Sequence, residues 1–207
     1  MRYALRSIFL LILISSSSLA SATEITPFGG YRMGGEFSEP SQGNTYDINS
    51  AGVFGVILGI PFGKPENKTM FELIYSHQST ELKTKPEFQT TYLFDLDIDY
   101  FTVGGTYLIG DSTPVQPFVS AGIGASYFKP GTSGLDSETR LALSIGGGAK
   151  WMISNQVGLR FELRGIATSF GLGNEEDTIF CGNNECLTIE KNVVFQVDAL
   201  VGMIVKF

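Results

Sequence analysis

The last fifteen residues alternate without a break: Val193, Phe195, Val197, Ala199, Val201, Met203, Val205 and Phe207 share one parity, while Gln196, Asp198 and Lys206 fall on the other. Successive side chains of a β-strand point to opposite faces, so this segment has one apolar face and one that carries polar groups. Two settings accept such a strand. In a membrane barrel the apolar face meets lipid and the other face a polar lumen; on the edge of a water-soluble sandwich the period is the same.

The N-terminal residues favour the first setting. Arg2 and Arg6 precede the apolar run 8–14, a serine-rich stretch follows, and Ala20-Ser21-Ala22 has the small-x-small pattern of a cleavage site. This predicts a cleaved signal peptide over residues 1–22 and a mature chain over 23–207. The leader is too short to span a bilayer as a helix, which needs roughly 20 apolar residues, and no later segment comes near that length. A membrane location therefore requires a closed barrel.

Charge and hydropathy agree with that reading. Apolar residues make up 43% of the chain and charged residues 17%, yet mean hydropathy is only +0.13, because apolar and polar residues alternate instead of forming helical spans. Removal of the leader leaves 12 basic and 21 acidic residues. That balance excludes nucleic acid as the expected partner.

Eight segments of period two are found, over residues 26–37, 50–60, 69–79, 92–108, 115–128, 137–152, 156–170 and 193–207. Longer polar connections (38–49, 80–91, 129–136, 171–192) alternate with shorter ones (61–68, 109–114, 153–155). An eight-stranded antiparallel up-and-down transmembrane β-barrel is predicted, with short periplasmic turns, longer external loops and both termini periplasmic. Parity assigns faces. Leu159, Phe161 and Leu163 oppose Arg160, Glu162 and Arg164, while Leu141, Leu143, Ile145 and Trp151 oppose Arg140, Ser144 and Lys150. By the same rule Leu96, Ile98 and Tyr100 are placed toward lipid and Asp95, Asp97 and Asp99 toward the lumen. The second segment has no clear face, because Val53 and Ile57 interleave with Phe54, Val56, Leu58 and Ile60. Tyr31, Tyr75, Tyr100, Trp151 and Phe207 are candidates for an aromatic belt.

The segments 117–125 (PFVSAGIGA), 145–151 (IGGGAKW) and 158–165 (GLRFELRG), with the terminal Phe207, resemble the eight-stranded outer-membrane β-barrel domain family related to the OmpA transmembrane domain. The resemblance spans essentially the whole mature chain. It implies a bacterial outer-membrane location, lipid and lipopolysaccharide as surroundings, and barrel assembly machinery and periplasmic chaperones as partners during biogenesis. Phe207 resembles the C-terminal assembly signal of such barrels. The family hosts adhesins, structural proteins and lipid A-modifying enzymes, so no single activity is implied.

An eight-stranded barrel is just wide enough for its side chains to fill it. Arg32, Arg140, Lys150, Arg160 and Arg164 are therefore expected to plug the lumen by pairing with Glu72, Asp95, Asp97, Asp99, Glu162 and Asp198, leaving no open pore. A narrow ion path is the alternative, although no ring of single sign is visible. Cys181 and Cys186, the chain's two cysteines, lie in the longest connection and are expected to form a disulfide that stiffens its tip. The other ligands that tetrahedral zinc needs are lacking there. Glu175, Glu176, Asp177 and Glu185 offer a divalent cation carboxylates, or simply form a solvated face.

The one histidine raises an enzymatic alternative. His77 and Ser79 share a strand face with Glu81, and a His-x-Ser pair with a carboxylate resembles the acyl-transfer site of eight-stranded lipid A deacylases. The asparagine and glycine that follow the pair in those enzymes are replaced here by Thr80 and Leu82. The reading adopted is a non-enzymatic barrel with a structural or surface-binding role through its external loops, whose ligand the sequence does not name. No catalytic residue, metal or cofactor is assigned; the alternative is a lipid A-modifying hydrolase using His77 and Ser79.

Overall fold

The computed structural model describes residues 23–38, 45–63, 68–84, 91–110, 114–132, 135–170, 177–182, 185–189 and 193–207. The expected leader, residues 1–22, lies outside them. Twelve strands follow in chain order: β1 (Glu24–Gly34), β2 (Glu36–Ser38), β3 (Thr45–Ile48), β4 (Ala51–Pro61), β5 (Thr69–Thr84), β6 (Thr91–Leu108), β7 (Val115–Pro130), β8 (Glu138–Met152), β9 (Val157–Ser169), β10 (Asp177–Gly182), β11 (Glu185–Ile189) and β12 (Val193–Lys206).

Eight of these close a ring, each antiparallel to its neighbours, in the order β1-β4-β5-β6-β7-β8-β9-β12 and back to β1. The stagger follows from the pairing. Glu24 leads from partner to partner through Gly59, Glu72, Gly104, Gly122, Ser144, Ile166 and Gln196 to Gly34, ten residues further along β1. Eight strands with that stagger tilt by about 40° and enclose a Cα radius of about 8 Å.

Of the four remaining strands, β2 falls mostly within the segment read as 26–37, while β3, β10 and β11 lie in two long connections that the sequence reading left as loops. Gly34 and Gly35, with φ of 84° and 112°, take the chain out of β1. β2 then pairs with β3, and β3 extends the wall beside the upper part of β5 through Tyr46↔Thr84 and Ile48↔Leu82. β10 and β11 form a separate hairpin between β9 and β12. The rim that bears Glu24 and Phe207 carries the short turns and is called here the terminal rim; the opposite one is the loop rim.

Outward positions are apolar along most of the wall. Phe54, Phe101, Ile145, Leu163, Phe195 and Phe207 are all more than half exposed. The inward face is layered. Near the terminal rim lie paired charges; above and among them Phe28, Val53, Ile57, Ile74 and Leu200 pack together. This explains the ambiguity of the second segment: Val53 and Ile57 fill the interior while Phe54 and Val56 face outward, so both parities are apolar. Toward the loop rim Ile48, Leu82, Leu96, Ile98, Tyr100, Phe128, Ala142, Ile166, Phe170 and Val194 form a second, larger apolar cluster inside the barrel.

That cluster reverses the expected faces of β6. Leu96, Ile98 and Tyr100 point inward and are at most 2% exposed, so Asp95, Asp97 and Asp99 face outward. The cause is a change of surroundings along one strand. Below Asp99 the outward residues Phe101, Val103 and Tyr107 are apolar or aromatic and the inward Thr102 and Thr106 polar, while above it the polarity is inverted. A strand that leaves lipid for water needs a polar outside, and the apolar residues must then be inside. Tyr100 is accordingly interior and not part of an aromatic belt.

Candidate functional site

Inside the described barrel eight charged side chains are buried, four cationic (Arg32, Lys150, Arg160, Arg164) and four anionic (Glu24, Glu72, Glu162, Asp198). Their contacts cross the lumen. From β9, the Arg160 guanidinium reaches Glu72 on the diametrically opposite β5, with Nη1 2.6 Å from Oε1 and Nη2 3.1 Å from Oε2. Arg160 Nε also donates to Glu162 at 2.8 Å, and Glu162 accepts from Arg164 at 2.9 Å. Lys150 on β8 donates to Glu24 on β1 at 2.6 Å, with Lys206 3.1 Å from the other oxygen of the same carboxylate. Arg32 binds Asp198 through Nε at 2.6 Å and Nη2 at 2.8 Å. A third bridge crosses higher up, where the Tyr100 hydroxyl on β6 donates to Gln196 Oε1 on β12 at 2.8 Å. Arg32 and Arg160 also stack over Tyr100 and Phe118, at 4.6 and 4.4 Å from the ring centroids.

A glycine on the neighbouring strand makes room for these long side chains. A Cβ on Gly146 would come within 2.9 Å of Glu162 Oε1 and 2.8 Å of Ser120 Oγ, whose own hydrogen bond joins them at 2.9 Å.

The second candidate lies on the outer wall of β5 and β6, toward the loop rim. His77 Nδ1 is 2.8 Å from Asp99 Oδ1, and His77 Nε2 is 3.1 Å from Ser79 Oγ. The Ser79 hydroxyl donates to Asp97 Oδ1 at 2.7 Å, and Tyr75 donates to the oxygen of Asp99 that faces His77, also at 2.8 Å. The strand register makes this group: His77↔Asp99 and Ser79↔Asp97 are direct cross-strand partners. Phe54 packs on His77 and Phe101 on Tyr75, with centroids 5.2 and 4.8 Å apart. The carboxylate beside the imidazole is thus Asp99, not Glu81, which pairs with Lys83 at 3.0 Å.

Of the residues expected to line a lumen network, Arg32, Glu72, Lys150, Arg160, Glu162, Arg164 and Asp198 are brought together. Arg140 has inward parity but stands near the loop rim, 3.2 Å from Glu138 and over Phe170. Asp95, Asp97 and Asp99 are on the other side of the wall, for the reason given above. Glu24 escaped the sequence reading because it sits at the first position of β1, before the alternation of that strand is established; its inward parity with Thr26, Phe28 and Arg32 was the available signal. Cys181 and Cys186 lie in the β10–β11 hairpin. Its pairs Ile179↔Leu187 and Gly182↔Glu185 leave Phe180 and Cys181 opposite Cys186 alone, a β-bulge. Glu175 and Glu176 lie outside the described residues, among which no group of three or more His, Cys, Asp and Glu is arranged to hold a metal ion.

A family model described as the outer membrane protein beta-barrel domain matches residues 8–189. The chain belongs to that family. As a member it is an integral protein of the bacterial outer membrane, and the described β12, beyond the matched span, completes its wall. A search among curated proteins returns no match. Among solved structures the barrel is similar to Neisserial surface protein A, at 15% identity, covering 89% of this chain and 97% of that one with a TM-score of 0.62. It is also similar to OprG from Pseudomonas aeruginosa, at 12% identity, 89% and 96% coverage and a TM-score of 0.62. AlkL in lipid bilayers follows at 13% identity, 93% and 94% coverage and a TM-score of 0.50. At these identities the likeness is one of fold.

The network has a measurable signature. Arg160→Met strands Glu72 and is expected to destabilise the barrel by about 3–5 kcal/mol. Arg160→Met combined with Glu72→Gln leaves Glu162 matched by Arg164, and should recover roughly half of that loss. Urea unfolding of the folded protein in lipid vesicles reads both values; equal loss in the single and double variants would contradict the pairing.

Proposed function

We propose that this chain is a closed, non-enzymatic outer-membrane barrel that conducts no ions and acts through the connections at its loop rim. The observation that carries this reading is the Arg160–Glu72 contact, which joins opposite walls of the lumen. The balance of four buried cations and four buried anions adds to it, since a conducting path is normally lined by one sign. Above the charges, the apolar cluster around Leu96, Phe128 and Phe170 fills much of the lumen, and the Tyr100–Gln196 hydrogen bond crosses it at that level.

In this reading the short turns and both termini are periplasmic and the long connections external, as is usual for such barrels. Outer-membrane lipid and lipopolysaccharide surround the apolar wall. Phe207, outward and 62% exposed, is the assembly signal read by the barrel assembly machinery after passage with periplasmic chaperones. A Cys181–Cys186 disulfide holds the tip of the β10–β11 hairpin, the part of the longest external connection offered to a ligand.

Reconstituted in planar bilayers, the protein is expected to show no discrete conductance steps at any polarity, whereas regular open-channel events would defeat the closed-lumen reading. Deletion of Phe207 is expected to reduce the heat-modifiable folded band in outer-membrane fractions, measured on gels with and without boiling.

A second reading, a lipid A-modifying hydrolase, is favoured by the alignment of Asp99, His77 and Ser79 on the outer wall. The hydroxyl of Ser79 has a single proton, however, and its shorter contact is with the Asp97 carboxylate. A proton committed to Asp97 leaves Ser79 Oγ as an acceptor toward His77 Nε2, the reverse of the direction in which a base would take the serine proton. The backbone around His77 is paired with β4 up to Gln78 and with β6 throughout, an arrangement that commits N–H groups to the ladder and not to an oxyanion. Lipid A from cells expressing His77→Ala or Ser79→Ala is expected to have the same mass profile as that from cells expressing the wild-type chain. Restored acyl groups in either variant would establish the hydrolase.

A further inference from the structure

The outward apolar surface is not a band of even height. On β12 it runs from Val193 to Phe207, on β8 and its turn from Leu141 to Ile153, and on β7 from Val115 to Tyr127. On β5 it covers only Phe71, Leu73 and Tyr75 before His77 and Ser79, and on β6 it ends at Phe101 beneath Asp99 and Asp97. With about 2.5 Å of height per residue at a tilt of about 40°, these stripes measure about 35 Å on β12, about 30 Å on β7 and β8, and about 10–20 Å on β5 and β6. In the ring order β5 and β6 stand diametrically opposite β9 and β12.

The two edges of the band behave differently. Once the stagger of ten residues over eight strands is taken into account, Ile109, Val115, Ile153, Val157 and Phe207 at the terminal rim lie within about 5 Å of one level. At the other edge Tyr75 and Phe101 are about 10 Å lower than Phe195 and Val193. Ser79 and Asp99 consequently stand at the height of Leu141 and Phe195, which are 43% and 56% exposed on other sides of the barrel. The band is a wedge. Tilting the whole barrel to level its upper edge would tip the lower edge by the same about 10 Å and draw apolar residues of the terminal rim into water.

We propose that the barrel holds the leaflet facing its loop rim thinner over β5 and β6 than over β9 and β12, which brings lipid head groups and water down to His77, Ser79, Asp97 and Asp99. The chemistry of that patch fits the partner. Its hydroxyls, imidazole and carboxylates are matched by water and polar head groups and not by acyl chains. The apolar residues below it, Val56, Leu58, Leu73, Phe101 and Val103, line a shallow groove of about 340 Å³ on the same wall. Acyl chains shortened or splayed by the dip would lie there. The surface is one for the lipids of a single leaflet, independent of any ligand of the loops and of whether Ser79 has chemistry of its own.

The test uses the full mature chain folded in phosphatidylcholine bilayers and solid-state NMR, with polarisation transferred to backbone amides either from water or from lipid acyl-chain protons. The amides of His77, Ser79 and Asp99 are expected to build up several-fold faster from water than those of Leu141 and Phe195 at the same height, which should respond to the acyl chains. A companion variant, Ser79→Leu with Asp97→Leu and Asp99→Leu, should bring the β5–β6 amides into acyl-chain contact. Acyl-chain contact on both faces of the wild-type protein would overturn the proposal, since the polar patch would then be immersed in a leaflet of full thickness. Water contact on both faces would also overturn it, by placing the whole upper edge outside the bilayer. Loss of acyl-chain contact at one side of the terminal rim, at Ile109 or at Phe207, would show that the barrel tilts instead.

Discussion

Pairing of β1 with β12 is the contact on which the remaining structure rests. Until Glu24–Gly34 finds Val193–Lys206, two strand edges face lipid with unpaired N–H and C=O groups, for which hydrocarbon offers no substitute. Closure with a stagger of ten residues also fixes the width. At a Cα radius of about 8 Å the interior is just wide enough for inward side chains to fill it, and here they pack against one another across it. Because the inward positions include eight charges, packing here means charge matching. The numerical balance of the two signs is a condition of closing a barrel this narrow around them.

The same condition explains the distribution of small residues. Where Arg160, Glu162 and Arg164 enter from β9, the neighbouring wall at Gly146 has no side chain, and Gly104 and Gly122 face each other across β6 and β7. Large polar groups on one wall and absent side chains on the other are two halves of one arrangement. Gly146 in the middle of β8 is a space left for the network.

Much of this was legible in the sequence. In β8, β9 and β12 one parity is lipid-facing along almost the full strand, and Leu159, Phe161 and Leu163 against Arg160, Glu162 and Arg164 could be read directly. β6 failed for a physical reason. Period two reports that two faces differ, and says nothing about which is inside; Asp95, Asp97 and Asp99 are on the outer face of the wall, with Leu96 and Ile98 in the core. The inversion is nonetheless written in the chain: outward parity changes from Asp99 to Phe101, and in β5 from Tyr75 to His77 and Ser79. Cross-strand geometry was beyond reach, because a shift of two residues between β5 and β6 keeps every face the same while it changes which residue stands beside His77. Without it, Glu81 was the nearest carboxylate in sequence and Asp99 the nearest in space.

The apolar cluster near the loop rim is built mainly from the wall, with Leu82, Leu96, Ile98, Phe128, Ala142, Ile166 and Val194 all on barrel strands. The seal over the charged interior therefore belongs to the barrel and asks little of the connections above it. A change of length or sequence in those connections leaves most of that apolar layer in place, because its side chains are held by the strands of the ring.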